Sequence, residues 1–112
     1  MVARARLAAH AVLRNVESKR LDSSTALAQA RVDLSDARDR ALVGEIVLGV
    51  LRWRLALDHI IDMLSSRPFD RIEPDLKHIL RAALYQLMHL DRIPDHAVLS
   101  DAVNLAKLIG QT

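Results

Sequence analysis

From Asp39 to Leu64 the apolar residues advance in steps of three or four, through Leu42, Ile46, Val50, Trp53, Leu57, Ile60 and Leu64. That spacing keeps one face of an α-helix in register for more than six turns. Val43, Val47, Leu51 and Ile61 widen the stripe, while Arg38, Glu45, Arg52 and His59 recur every seven residues on the opposite side. The pattern predicts a buried central helix, with Trp53 in the middle of its apolar stripe as a core residue. Gly44 and Gly49 interrupt the run, either to bend it or to let a neighbouring helix approach closely.

The flanking segments carry the same period. A first helix is expected over Ala3–Ser18, burying Ala5, Ala8, Ala9, Val12 and Val16 with Leu13 at the edge. A second starts near Ser23–Thr25, whose hydroxyls suit the free amides of a first turn, and runs through Leu27, Ala30 and Leu34. Ser35 or Asp36 caps the long helix, and Ser65-Ser66-Arg67-Pro68 stops it. Pro74 fits the first turn of a further helix, expected over Asp75–Leu90 with Leu76, Ile79, Leu80, Ala83, Leu84 and Leu87 inward. Asp91–Asp95 reads as a tight connection. A last helix over His96–Ile109 is expected to bury Val98, Leu99, Ala102, Val103, Leu105, Ala106 and Ile109 and to end at Gly110. No segment alternates as a strand would, so the fold class is all-α.

Composition narrows the picture. A chain of 112 residues makes one domain with a single core. With Trp53, Phe69 and Tyr85 as the only aromatics, that core is aliphatic. No apolar run is long enough for a membrane span, and the first residues lack the apolar segment of a signal peptide. The absence of cysteine excludes disulfides, thiolate metal sites and cysteine nucleophiles, and fits a cytoplasmic protein. The net charge is only +2, but residues 1–54 hold ten Lys/Arg against six Asp/Glu, leaving +4, and residues 55–112 hold six against eight, leaving −2. Most of the basic excess lies at Arg4, Arg6, Arg14, Lys19 and Arg20, faced by Glu17 alone. That asymmetry allows an anionic partner at the N-terminal end; a solvated helix face is the plainer reading.

Reaction chemistry is not legible. His10, His59, His78, His89 and His96 never pair at metal-ligand spacing and read as surface or helix-end residues. The glycines are isolated, so no phosphate loop exists; catalytic residues, a metal and a cofactor are all expected to be absent. RNA recognition needs cations for phosphates and flat groups for bases. The candidates are Arg4, Arg6, His10 and Arg14, with Lys19 and Arg20 at the helix end, and a second strip of Lys77, Arg81 and Tyr85. Against this, Tyr85 fits a core edge, Arg81 fits an ion pair with a helix carboxylate, and Arg52 and Arg54 are expected to point outward.

Three stretches resemble the NusB-like domain. They are Ala3-Arg4-x-Arg6-x-Ala8 leading to Val12-Leu13; Asp39-Arg40-Ala41-Leu42-Val43 through Gly49-Val50-Leu51-Arg52-Trp53-Arg54 to Leu57-Asp58; and Ile79-Leu80-Arg81 through Tyr85-Gln86-Leu87, Ile93-Pro94-x-His96-Ala97 and Asp101-Ala102-Val103. The Leu51–Arg54 and Ile93–Ala97 stretches are most similar to the version at the N-terminus of the RsmB/Sun/Fmu ribosomal RNA cytosine-5 methyltransferases. The resemblance implies a helical bundle of five to six helices over residues 1–112, arranged as two small packed bundles, that binds RNA through its basic first helix. It implies an rRNA-binding appendage of a 16S rRNA methyltransferase. The alternatives are a stand-alone NusB-type antitermination factor, or a protein-interaction module docking the catalytic domain without touching RNA. Neither an S-adenosylmethionine-binding domain nor cysteine chemistry is present, so methylation is expected to belong to another part of the parent protein. The family domain continues into a final helix, where this chain carries only Gly110-Gln111-Thr112. A shortened domain with an uncovered apolar groove is expected, and with it self-association as a homodimer.

Overall fold

A computed structural model describes residues 1–110 as five α-helices and one 3-10 turn: α1 (Arg4–Glu17), α2 (Ser23–Val32), α3 (Ala37–Leu64), the turn (Phe69–Arg71), α4 (Pro74–His89) and α5 (Asp95–Gly110). No strand occurs among the described residues, and none of their helices is long and apolar enough to cross a membrane. The helix starts follow local chemistry. Asp22 caps α2 by accepting the Thr25 N–H at 2.7 Å, so a carboxylate does what the sequence suggested for the hydroxyls of Ser23–Thr25. Asp36 caps α3 through the Arg38 N–H at 2.8 Å, and Pro74 opens α4. Helix α1 ends with Lys19 in the left-handed region at φ 61°. The Lys19 N–H donates to the Val16 carbonyl and the Arg20 N–H to the Asn15 carbonyl, each at 3.1 Å, the paired bonds of a Schellman ending without its usual glycine.

Helix α3 is the strut that the pattern predicted. Val43, Ile46, Val47, Val50 and Leu57 are buried against Ala9, Val12 and Leu13 of α1, Ala26 and Leu27 of α2, and Leu34. Helix α4 packs on the other flank of α3 and α5 packs on α4, while α1 reaches across to α4 as well.

Several expected core positions are not in the core. Trp53 has φ −103° and ψ 16°, outside helical geometry, and is 43% exposed. Beyond this break the buried stripe continues at Leu57 and Ile61, leaving Leu64 in solvent and Ile60 half-buried. The glycines do not bend the helix. Instead a Cβ at Gly49 would collide with the Tyr85 ring, and one at Gly44 with the Arg31 guanidinium, so both glycines serve close approach. On α5 only Val98, Asp101 and Leu105 are buried; Leu99 and Val103 face outward because α5 touches the rest of the protein along one side. Gly110 is helical, one residue beyond the expected end. Gln111 and Thr112, at the point where the resembled family continues, lie outside the described residues.

Candidate functional site

Helix α1 divides its cations between two faces. Arg6 points inward: its Nη1 meets Asp101 Oδ2 at 2.7 Å and its Nε donates to Gln86 Oε1 at 2.8 Å. Asp101 Oδ2 also accepts the Ala3 N–H at 3.1 Å, and Gln86 is held by donating to the Ala82 carbonyl. With side-chain exposures of 12% and 11%, Arg6 and Asp101 form a nearly buried clamp of α1 onto α5.

One turn on, His10 is buried with both ring nitrogens lacking a hydrogen-bond partner. Its Nε2 lies 3.5 Å from Asp75 Oδ1, near enough for attraction but without hydrogen-bond geometry. Burial pushes its pKa down, against the pull of the Asp75 charge. The His78 ring stands edge-on to it at 6.1 Å. Burial, then the Arg81 charge and His10, lower the pKa of His78 to about 4. Arg81, only 3% exposed, makes a two-pronged bond to Asp58 at 2.6 and 3.0 Å. Arg54 joins this group from α3, reaching Glu17 at 2.9 Å and holding the Glu17 carboxyl below the usual carboxylate range.

Three candidates therefore sit inside the protein. Arg6, His10 and Arg81 are not surface cations: Arg6 is enclosed against α4 and α5, His10 against α4 and Arg81 against α3, and a charge so placed has to be paired or neutral. The expectation that the histidines lie at the surface or at helix ends is corrected for His10 and His78.

The outward face of α1 is different. Arg4, Leu7, Ala11, Arg14 and Ser18 succeed one another at helical spacing and Arg4, Leu7, Ala11 and Arg14 are all exposed. Arg14, with 59% of its side chain exposed, bonds Asp75 at 3.0 Å. Arg14, Asn15, Ser18 and Arg20 line a shallow concavity at the end of the helix. The left-handed Lys19 turns the chain there, so that Lys19 and Arg20 are exposed beside it. Among the described residues no carboxylate pairs with Arg4, Lys19 or Arg20.

The second strip comes apart. Lys77 places its Nζ 4.6 Å from the Phe69 ring centre and Arg81 its guanidinium 5.6 Å from it. Tyr85 lies elsewhere, half-buried against the core and stacked on His89 at 4.9 Å. Sequence reading missed Asp58, Asp75 and Asp101 as partners, since nothing in their spacing points to residues so distant. It also missed the pairing of Trp53 with His89, stacked at 5.7 Å; the aromatic residues themselves were the available signal. No group of three His, Cys, Asp or Glu suited to a metal ion occurs among the described residues.

The model of the NusB family matches residues 3–112. A Synechocystis protein named probable ribosomal RNA small subunit methyltransferase B is 42% identical over 72 residues, covering 64% of this chain and 16% of that protein. Its namesake in Bacillus subtilis is 37% identical, covering 70% of this chain and 17% of the relative. Ribosomal RNA small subunit methyltransferase B of Cronobacter sakazakii is 38% identical over 103 residues, 92% of this chain and 23% of the relative. The chain thus spans less than a quarter of the length of each of these three.

Proposed function

The chain belongs to the NusB family, and on that premise we propose that it is an RNA-binding domain whose contact surface is the outward face of α1. The observation that carries this reading is the division of cations on that helix. Arg6 is consumed by Asp101, whereas Arg4, Lys19 and Arg20 stand exposed with no carboxylate among the described residues to neutralise them, and Arg14 has only Asp75. Cations left open in this way are suited to phosphates. Lys77 extends the positive surface on α4. Arg6, His10 and Arg81 support the surface from behind and do not touch RNA.

The relatives are named ribosomal RNA small subunit methyltransferase B, and in line with that we propose the wider role of an N-terminal appendage of a 16S rRNA cytosine-5 methyltransferase, acting in the cytoplasm and holding ribosomal RNA for a separate catalytic domain. That catalytic domain would bind S-adenosylmethionine; the helices here contribute grip. A stand-alone antitermination factor would use the same surface. The reading frame downstream of Thr112 separates these two roles.

A second reading, protein docking, is favoured by Leu99 and Val103, adjacent on the exposed side of α5. They suit a homodimer or the parent catalytic domain. Sedimentation of the native chain and of Val103→Asp over a concentration series tests the dimer.

The RNA reading is tested by titrating RNA at several salt concentrations against the native chain and an Arg4, Arg14, Lys19, Arg20→Ala variant. Each lost phosphate contact on single-stranded RNA should flatten the slope of log affinity against log salt by roughly 0.7. Equal affinity and slope in the two proteins would remove α1 from the interface.

A further inference from the structure

On the side of α3 facing the C-terminal end of α4, four side chains form a stack that opens to solvent. Tyr85 is its base, seated on Gly49 against the core. His89 lies on Tyr85 at 4.9 Å, and Trp53 lies on His89 at 5.7 Å with the two planes only 16° apart. Above Trp53 stands the Arg52 guanidinium, 5.6 Å from the ring centre. A groove lined by Arg31, Gly44, Leu48 and Glu45 leads up to this stack.

Core packing does not account for the arrangement. Trp53 is 43% exposed, so much of the largest side chain in the protein stays in water. Arg52 has no carboxylate partner among the described residues. The Arg52 side chain is itself exposed, so its swing away from the indole bares that face to a flat ring. The groove carries two guanidinium groups against the single carboxylate of Glu45, itself 3.8 Å from Arg92. A flat π face, an exposed guanidinium over it and surplus positive charge beside it match an unpaired base with flanking phosphates; of the apolar side chains lining the approach, only Leu48 is exposed and large.

We propose that Trp53 and Arg52 form a stacking subsite for one unpaired base of single-stranded RNA, with His89 and Tyr85 fixing the indole from below and Arg31 beside the path of the backbone. This rests on the RNA-binding reading and extends it to a second contact, away from the outward face of α1.

Trp53 is the only tryptophan in the chain, so its fluorescence reports on the subsite directly. A short end-labelled oligouridylate and a short RNA duplex are titrated separately, following label anisotropy for binding and tryptophan emission for stacking. The native chain should bind the single strand with quenching of Trp53. Trp53→Ala should weaken that binding about tenfold while leaving the duplex affinity unchanged. Trp53→Phe, which keeps a ring, should retain most of the affinity, and Arg52→Ala should reduce the quenching; thermal melts check that each variant is folded. RNA binding without quenching, and with native affinity in Trp53→Ala, would overturn the subsite while leaving the α1 surface standing. Failure to bind either RNA would overturn both. Emission that changes with protein concentration in the absence of RNA would mark the patch as a protein contact and overturn the subsite.

Discussion

Arg6 and Asp101 lie 95 positions apart in the chain and meet at 2.7 Å, the distance of a charge-assisted hydrogen bond. Asp101 also holds the Ala3 N–H, so one carboxylate secures the start of α1 to α5. Arg6 is therefore a fastening between helices rather than a free cation.

Truncating one member of this pair leaves the other charged and nearly buried. Arg6→Ala should destabilise the protein by about 3 kcal/mol, read as a lower urea midpoint. The double variant Arg6→Met, Asp101→Leu should recover much of that loss, and folded Arg6→Ala should bind RNA as the native chain does. A stable Arg6→Ala with weakened RNA binding would reverse the assignment.

His10 and His78 are held neutral by burial, so their folded-state pKa values lie below the ordinary 6.5. In that interval the unfolded chain binds more protons, and stability therefore rises with pH. Stability should be level above about pH 7 and fall as the pH drops from 6.5 towards 4, where the His78 contribution is exhausted; that contribution is at most about 3 kcal/mol. Urea titrations across this range should show the slope, and His78→Leu should flatten it. An unchanged slope in His78→Leu would assign the effect to other groups.

Lys19 adopts a left-handed backbone conformation that costs a residue with a side chain about 1 kcal/mol. Lys19→Gly should raise the melting temperature by relieving it, while weakening RNA binding through the lost charge. A fall in both would mean that the lysine side chain packs in the native state.

Gly49 leaves no room for a methyl group under Tyr85. Gly49→Ala should destabilise by about 1–3 kcal/mol despite the better helix propensity of alanine, and should disturb Trp53 emission by displacing the stack. In a Tyr85→Ala background the same glycine change should cost much less, a non-additivity that marks their contact. If Gly49→Ala alone is as stable as the native chain, Tyr85 is not held there.

The helices were legible because an aliphatic stripe at 3.6 periodicity is a local signal. Asp36 and Pro74 lie in the turns they begin, and Val43, Ile46, Val47 and Val50 repeat within one segment. Trp53 misled because helical spacing assumes an unbroken helix, and the backbone leaves helical geometry at that residue. The split of the α1 cations was illegible for another reason. Arg4, Arg6 and Arg14 are the same residue type on one short helix, and only partners on α4 and α5 separate them. Arg6 finds Asp101, Arg14 finds Asp75, and neither distance leaves a trace in local order. For Tyr85 and Arg81 the plainer expectations, a core edge and a carboxylate partner, agree with the packing.

The span of the Arg6–Asp101 clamp also sets a schedule for synthesis on the ribosome. Translation adds about 5–20 residues per second, so the first helix emerges roughly 5–20 s before the aspartate that fastens it exists. During that interval α1 can rest on α3 and α4, but its guanidinium has only water and Gln86 as partners. Completion of the nascent domain therefore waits for α5 to clear the exit tunnel, and a pause placed after α4 should leave a protease-sensitive N-terminus that a pause placed well beyond α5 does not.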